Sequence, residues 1–418
     1  MNPGDPAPPV TLFYLRSPSA ARVLGVNPPH EGIADLGAVL REWGRIGCLG
    51  FGGPPVHIRM LHEVCVQRRG WIDEVEFEDA VATCNLLPGP SSTQLAIFTA
   101  WRVRGRTGAL LGGAAFILPG FVLILALSVL FLAGAPPTWV LGAGAGAGSA
   151  VAAVAVSAGW ALLVPSWERR AHPARWIGYV VAGGVSAATI GPWLVLVLLG
   201  CGGVELVVRH PRSPHRPREV GGHYALVSPG LVAGLLGTAG SGVLLALSWT
   251  ALKVGALSYG GGFVIIPLMQ GDAVEQHGWM SDADFLNAVA LGQITPGPVV
   301  LTVAVVGYAA AGLLGAVLAT AVAFLPSFVL VLGGATHFDR WRNGPRIRAF
   351  LDGAGPAAIG AILGSALPLA VALAEPWQFA VLLGAAALLL VARRGVVLTL
   401  LLAAAVGVVV ALAGGPLP

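Results

Sequence analysis

The sequence predicts an all-α polytopic membrane protein built from two inverted-topology repeats, and three observations lead to this fold class. The first is composition, because 56% of the 418 residues are hydrophobic and only 11% are charged, whereas soluble globular proteins carry about 25% charged residues. The second is an internal duplication of the chain. The third is a pair of Pro-Gly-Pro interruptions, each inside an apolar stretch about as long as a membrane crossing.

The chain is predicted to consist of a tail, two repeats and a linker. Residues 1–32 are rich in proline and lack the apolar core of a signal peptide, which predicts a flexible cytoplasmic or otherwise exposed tail. The N-terminal repeat is predicted over 33–208 and the C-terminal repeat over 229–418. Between them, 209–228 form a basic, proline-rich linker whose composition cannot support a core.

Each repeat is expected to begin with a re-entrant or bent helical element that is broken at its glycines. The breaks fall at Gly52 and Gly53 in the first repeat and at Gly260 and Gly261 in the second, each after an aromatic residue. About five further apolar segments per repeat would cross the bilayer, for which ~20 residues are needed. The segments lie at about 78–101, 108–133, 138–163, 175–191 and 193–208, and at about 285–311, 313–335, 346–373, 377–392 and 395–415. Ten crossings is the preferred count, and twelve or thirteen stay open.

The duplication is visible residue by residue. Phe51 and Tyr259, Trp71 and Trp279, and Pro88 and Pro296 are each 208 positions apart. Between 45–90 and 253–298, 16 of 46 ungapped positions are identical. Two unrelated apolar regions would not keep tryptophan and Pro-Gly-Pro in one register, so the two halves are predicted to be structural repeats.

Loop charge predicts that the repeats have opposite orientations. In the first half the arginines fall around Arg104, around Arg170 and in the linker, whereas the matching second-half loops carry no positive charge. The second half is instead basic around Arg346 and Arg394, where the first-half loops are uncharged. Because cytoplasmic loops carry the excess of arginine and lysine, this exchange predicts antiparallel repeats with a binding site near the midplane.

The two Pro-Gly-Pro interruptions are the predicted centre of that site. Proline breaks the helical hydrogen-bond ladder, and irregular backbone survives at membrane depth only inside protein or beside a polar cavity. The new helix starts would present N–H groups to an anion, and flanking hydroxyl and amide groups would add donors. The predicted residues are Asn85, Pro88, Gly89, Pro90, Ser91, Ser92 and Thr93 in the first half and Gln293, Thr295, Pro296, Gly297 and Pro298 in the second. The alternative is a structural kink whose hydroxyls cap their own helices.

Arg45 and Lys253 complete the set of candidate binding residues, together with the glycines of the two Gly-Gly breaks. The two cations occupy matching positions six residues before the aromatic residue of each break. A cation buried in the membrane is costly and therefore a functional candidate. Together they would neutralise a bound dianion. The alternative is that each side chain snorkels to the membrane interface.

Other chemistries find no support in the sequence. The four cysteines lack metal or disulfide spacing, and His57 and His62 are five residues apart, which does not suit a metal pair. One set of carboxylates is expected to form mostly a solvated face, and the alternative is that one of them relays protons: Glu63, Glu74, Glu76, Glu78, Asp79, Asp272, Glu275, Asp282 and Asp284. No Gly-Lys-Ser/Thr nucleotide loop occurs, and the basic loops suit membrane orientation better than nucleic-acid binding. Neither a cofactor, a metal nor an enzyme activity is predicted.

The motifs resemble those of the chromate ion transporter family in its two-domain, long-chain form. Phe51-Gly52-Gly53-Pro54, Gly70-Trp71 and Asn85 to Pro90 are similar to one family domain. Tyr259 to Gly262, Gly278-Trp279 and Gln293 to Pro298 are similar to the other. The resemblance covers about residues 33–418. It implies a multi-pass bacterial inner-membrane exporter of chromate, driven by the membrane potential or by protons, that gives chromate resistance.

Three functions remain in competition at this point. The first is an exporter of chromate, a tetrahedral oxyanion. The second is an uptake carrier or channel for sulfate-like oxyanions. The third is a membrane enzyme or scaffold, against which the sequence offers no paired catalytic carboxylates or histidine cluster. The lipid bilayer and an oxyanion are the expected partners, and a homodimer is kept open.

Overall fold

The computed structural model describes residues 34–87, 89–132, 136–168, 170, 172–189, 194–209, 241–258, 265–334 and 344–417. Within these ranges the secondary structure is helical and no β-strand occurs. Four helices are long and apolar enough to cross a membrane, and shorter apolar helices accompany them. The prediction of an all-α polytopic membrane protein is therefore confirmed, whereas the inverted orientation and the repeat boundaries stay predictions. The predicted tail, and the predicted linker beyond Arg209, lie outside the described residues.

The first half contains eight α-helices in its described part. Helix α1 begins at a cap in which the Asp35 carboxylate accepts from the Gly37 N–H, and α3 begins where Asp73 accepts from the Glu76 N–H. In order, the elements are α1 (Leu36–Leu49), α2 (Pro54–His62), a π-helical turn (Glu63–Arg68), α3 (Glu74–Leu86), α4 (Ser91–Phe131), α5 (Thr138–Ser149), α6 (Val151–Glu168), α7 (Pro173–Thr189) and α8 (Leu194–Val208).

The described elements of the second half follow a similar order. Ser281 caps α11 in a reciprocal arrangement with Asp284, a capping box at the position where Asp73 caps α3. The elements are α9 (Ser241–Leu257), α10 (Ile265–Gln270), a π-helical turn (Gly271–Gln276), α11 (Asp282–Ile294), a 3₁₀ turn (Val299–Leu301), α12 (Thr302–Gly334), α13 (Pro345–Val371), α14 (Pro376–Ala386), a third π-helical turn (Ala387–Val391) and α15 (Val396–Leu412).

Helices α4 and α12 each fold back on themselves as hairpins of two arms. The reversal in α4 lies at Arg104 and Gly105, and Gly105 has φ 63°. A Cβ placed on Gly112 would lie 2.6 Å from the Ala100 Cβ, although twelve residues of straight helix would separate these positions by about 18 Å. The matching reversal in α12 falls at Gly312, with φ 61°. Both reversals lie between segments that the sequence predicts as separate crossings.

The duplicated sequence adopts the same local structure in both halves. The π-helical turns Glu63–Arg68 and Gly271–Gln276 are 208 residues apart, as are α3 and α11 at both of their ends. Gly70 and Gly278 follow the two turns, and both have φ 58°. Such φ values are strained for residues other than glycine, so the shared glycines fix the same change of direction twice.

Helices of the first half pack on helices of the second half, both at the centre and at the periphery. Helix α1 packs along α4 and α9 along α12, and α4 and α12 contact each other at the centre. The outer helices cross over: α5 packs on α15, and α13 packs on α7 and α8. Backbones approach closely at small residues, for example where Gly146 meets Ala403 and where Gly353 meets Cys201.

Candidate functional site

The first Gly-Gly break and the second Pro-Gly-Pro interruption meet at one carbonyl group. The Gly50 carbonyl, at the end of α1, accepts a hydrogen bond from the Gly297 N–H at 3.2 Å. The same oxygen contacts His57 Nε2 at 2.8 Å. The other ring nitrogen, Nδ1, lies 3.2 Å from the Ser92 hydroxyl in the first turn of α4. A continuous hydrogen-bonded path therefore links the interruptions of the two halves through His57.

Each Pro-Gly-Pro interruption also packs against the helical hairpin of the other half: the first against α12 and the second against α4. A Cβ placed on Gly89 would lie 3.3 Å from the Ser327 hydroxyl of α12. A Cβ placed on Gly120 of α4 would overlap the Pro296 carbonyl oxygen. Gly120 and Ser327 each follow a proline, and they are 207 positions apart in the sequence. Each interruption therefore approaches the hairpin of the other half, and a binding site at this place stays a prediction.

Several buried polar groups at these interruptions lack a hydrogen-bond partner within the described part of the chain. They are the hydroxyls of Thr93 and Ser327 and the amide nitrogen of Gln293. None of these residues is more than 8% exposed. An unsatisfied buried donor costs free energy, so such groups are uncommon unless a ligand or water uses them. These groups can donate to an anion held at the interruptions.

The predicted residues around the interruptions fall into three groups. Gly89, Pro90, Ser91, Ser92, Thr93, Gln293, Thr295, Pro296, Gly297 and Pro298 are buried. Asn85, Gly52 and Gly53 are exposed or partly exposed, so the predicted pair Asn85 and Gln293 lies in unlike surroundings. Pro88, Gly260 and Gly261 lie outside the described residues. The Thr295 hydroxyl donates to the Leu291 carbonyl at 2.9 Å, which is the self-capping that the alternative interpretation expects.

The two candidate cations have different surroundings. Arg45 is exposed and forms no ion pair with the described residues, as the snorkelling alternative expects. Lys253 Nζ lies 2.5 Å from Asp272 Oδ2 and 2.8 Å from Oδ1. The Thr250 hydroxyl donates to the same carboxylate at 2.7 Å. The positive charge of Lys253 is therefore already balanced, and a role for either cation in binding stays a prediction.

Most of the carboxylates expected on a solvated face are exposed or half-buried, and Asp272 is the exception among them. Asp272 is only 1% exposed, because the π-helical turn brings it against α9. In the first half, Glu42 of α1 is 4% exposed and pairs with Arg69 at 2.7 Å. Arg102 of α4, also buried, pairs with Glu76 of α3. Burial of these charges is tolerated because each has a partner.

An open groove separates α2 from α3 in the first half. It has a volume of about 520 Å³ and is lined by Arg59, His62, Glu74 and Glu78 together with apolar side chains. His62 Nε2 contacts Glu74 Oε1 at 2.7 Å across it. In the described part of the chain, no group of three or more histidine, cysteine, aspartate or glutamate side chains could hold a metal ion.

His57, Gly120 and Ser327 are the residues of this region that the sequence reasoning missed. His57 was considered only as half of a metal pair, and its repeat counterpart is the apolar Ile265, so comparison of the halves drew attention away from it. A usable signal was its position five residues after Gly52, directly beyond the break. Ser327 and Gly120 could have been found as the residues that follow the repeat-matched prolines, Pro326 and Pro119.

Comparison with known proteins gives a consistent result. A family model described as chromate transporter matches residues 37–204 and 245–408. A chromate transport protein of Cupriavidus metallidurans is 33% identical over 336 residues, which are 78% of this chain and 80% of the relative. A chromate transport protein of Pseudomonas aeruginosa is 31% identical, covering 79% of this chain and 80% of the relative. A probable chromate transport protein of Synechococcus elongatus is 30% identical, covering 83% and 86%. No solved structure matches the chain.

Proposed function

Because the chain belongs to the chromate transporter family, we propose that it is a secondary transporter that exports chromate across the bacterial inner membrane and so gives chromate resistance. The relatives are named as transporters, which implies a transport role without enzyme activity. No nucleotide-binding loop occurs in the sequence, so the driving force we propose is the membrane potential or a proton gradient.

The observation that carries this proposal is that each interruption packs on the hairpin of the other half, close to buried hydroxyls that have no partner among the described residues. Chromate is a tetrahedral dianion that must exchange its hydration shell for protein donors when it enters a low-dielectric site. The first arm of α4 begins at Ser91. The Thr93 and Gln94 N–H groups donate to the Pro90 carbonyl, whereas the N–H groups of Ser91 and Ser92 have no partner within the helix. These groups, with the hydroxyls of Thr93 and Ser327, supply donors from both halves.

The proposal includes inverted repeats, with transport by movement of one half against the other around a central site. Its support is the exchange of arginine-rich loops between the halves. Single cysteines at Arg104 and Arg346 should both react with membrane-impermeant reagents from the cytoplasmic side only. Labelling of the two positions from opposite sides would exclude antiparallel repeats.

Uptake of a sulfate-like oxyanion is the second candidate. Sulfate has the same charge and tetrahedral shape as chromate. Hydroxyl and N–H donors recognise oxygen geometry rather than the central atom, so the same donor set favours both anions. In this alternative the site would be unchanged and the direction of net transport reversed.

Flux in oriented vesicles separates the candidates. Everted vesicles containing the protein should accumulate labelled chromate when energised, and unlabelled sulfate in excess reports the selectivity. Vesicles prepared in the same way without the protein are the matched control. Accumulation of sulfate in right-side-out vesicles, with no chromate movement in everted ones, would favour the uptake carrier instead.

A further inference from the structure

The proposed site lacks a compensating charge. A dianion without its hydration shell needs positive charge nearby, because an isolated buried charge is very costly. Lys253 is neutralised by Asp272, and Arg102 is paired with Glu76. Arg45 is exposed on α1. The cations that the sequence offers in this region are therefore paired or exposed, and the charge must come from another group.

His57 is placed where such a charge is needed. Its side chain is fully buried between the two interruptions and lies edge-on to Phe116, with ring centroids 5.0 Å apart. Its partners define the tautomer. The Gly50 carbonyl can only accept, so Nε2 carries the proton and donates to it. Nδ1 is then unprotonated and accepts from the Ser92 hydroxyl.

We propose that His57 is the proton-carrying residue of the oxyanion site, and that binding of one tetrahedral dianion is accompanied by uptake of one proton at His57 Nδ1. This inference rests on the proposed function, since it names a proton that binds with the dianion at the same site. A proton carried outward with the dianion moves against the inward proton gradient, so export would then be driven by the membrane potential acting on the net negative charge. The proton comes from solvent, and no covalent bond forms or breaks in the substrate. Nε2 continues to donate to the Gly50 carbonyl throughout.

Protonation changes the direction of one hydrogen bond and releases a donor. Once Nδ1 carries a proton, it donates to the Ser92 oxygen, and the Ser92 hydroxyl hydrogen must turn away from the ring. That hydrogen is then free to bond an oxyanion beside the first turn of α4. One proton therefore supplies both a positive charge and an additional donor, so proton and dianion bind cooperatively.

No competing charge contacts His57 in the described part of the chain. Its hydrogen bonds go to Gly50 and Ser92, and neither is charged. Charged or titratable residues lie on its own helix and on the elements packed against it. They are Arg59 and His62 on α2, Glu63, Cys65 and Arg68 on the π-helical turn, Asp35, Arg41, Glu42, Arg45 and Cys48 at or on α1, Arg102, Arg104 and Arg106 on α4, and Glu74, Glu76, Glu78 and Asp79 on α3, which faces α2 across the groove. Because the hydrogen bonds of the imidazole in the described residues go to neutral groups, a bound anion would be its principal counter-charge.

The second-half position that matches His57 carries no titratable group. The position that matches His57 is Ile265, which is fully buried. The stoichiometry expected of the chain is therefore one proton for each dianion. A carrier with one titrating group in each half would take up two.

The test is calorimetric titration of the purified full-length protein with chromate, at a pH at which chromate is wholly dianionic. Repeating the titration in buffers of different ionisation enthalpy gives the number of protons taken up per bound anion. We expect about one for the wild type. His57→Gln keeps a donor for Gly50 and an acceptor for Ser92 but cannot be protonated, so proton uptake should vanish and affinity should fall roughly tenfold to hundredfold. His62→Gln, on the same helix, should retain wild-type uptake.

Three outcomes separate the hypotheses. Failure of the folded wild type to bind chromate would count against the proposed function itself. Chromate binding with no proton uptake, or with uptake that persists in His57→Gln, would overturn the assignment of His57 alone. Ser92→Ala supplies a second measurement if His57→Gln does not fold: it should still take up one proton but bind chromate more weakly, and loss of uptake in Ser92→Ala would contradict the mechanism.

Discussion

In the first half, a buried glutamate of α1 pairs with arginines at the end of a π-helical turn. In the second half, a lysine of α9 pairs with an aspartate at the start of the matching turn. Glu42 aligns with Thr250, which donates to Asp272, whereas Asp272 aligns with Val64. Both halves thus have a buried carboxylate between the first helix and the π-helical turn. The helix carries it in the first half, and the turn carries it in the second. The helices and turns are thus duplicated, whereas the polar side chains that they carry differ between the halves.

The same divergence appears at α2 and α3 and their counterparts. The contact between His62 and Glu74 matches the hydrogen bond from Gln270 to Asp282, residue for residue at a spacing of 208. The first contact lines an open groove, and α3 packs mainly on α4. The second lies beside α11, which is covered by α5, α12 and α15. The half-buried, titratable His62 is thus replaced by the buried, neutral Gln270 in the second half, whereas the carboxylate partner is exposed in both halves.

The largest difference between the halves should appear when each buried carboxylate is removed. Asp272→Ala leaves Lys253 largely buried without a partner, and we expect a loss of ~3–5 kcal/mol in the free energy of unfolding. Glu42→Ala should cost less, about 1–2 kcal/mol, because the side chain of Arg69 is 39% exposed and can be hydrated. Thermal unfolding in detergent can be followed by the reaction of Cys65, Cys84 and Cys201, which are buried.

That assay needs a Cys48→Ser background, because Cys48 is exposed and would react in the folded protein. The double variant Asp272→Ala with Lys253→Met is the matched control, and it should recover part of the lost stability because no unpaired charge remains. If Asp272→Ala and Glu42→Ala lose the same free energy of unfolding, the deeper burial of the Lys253–Asp272 pair does not make its loss more costly.

An intermediate effect is expected from exchanging the residues that follow the matched prolines. Gly120→Ser places a Cβ against the backbone oxygen of Pro296, which cannot move without shifting the interruption. Overpacking of this kind costs ~1–3 kcal/mol, and we expect chromate flux to fall at least tenfold. Ser327→Gly removes a hydroxyl that has no partner in the described residues. Its stability should be nearly unchanged, while chromate affinity falls about fivefold to tenfold.

The informative comparison is between stability and transport in the two variants. A loss of stability without a loss of affinity in Ser327→Gly would mean that this hydroxyl packs the hairpin and does not bind the anion. Full transport by Gly120→Ser would mean that the close approach between α4 and the second interruption is not maintained during the transport cycle.

The smallest effect on stability is expected at His62, which lines the open groove, and at its second-half counterpart Gln270. His62→Gln gives the first half the amide side chain that the second half has at Gln270, and it should change the free energy of unfolding by less than about 0.5 kcal/mol. Gln270→Ala should cost about 1 kcal/mol, because Gln270 is only 6% exposed. The thiol-reaction assay measures both. A larger loss in His62→Gln than in Gln270→Ala would reverse the expected contrast between the halves.

Sequence reasoning succeeded where a local rule determines the structure. Pro-Gly-Pro must interrupt a helix, and apolar length predicts segments such as 194–208 almost to the residue. It failed where contacts depend on tertiary packing. Asp272 is found as a buried partner of Lys253 only once the π-helical turn faces α9. His57 acquires its role because a carbonyl of α1 and a hydroxyl of α4 converge on one ring, which no spacing within a single segment reveals.

The crossed packing of the outer helices has a consequence for how the chain is made. Helices α5 and α8 leave the ribosome long before α15 and α13, the helices that cover them. Their small-residue faces, including Gly146 and Cys201, must therefore be held in lipid or by the insertion machinery until the second half arrives. Completion of the core is thereby a late, post-insertion event, and the two halves expressed as separate polypeptides would have to find each other in the plane of the bilayer before either could acquire its final packing.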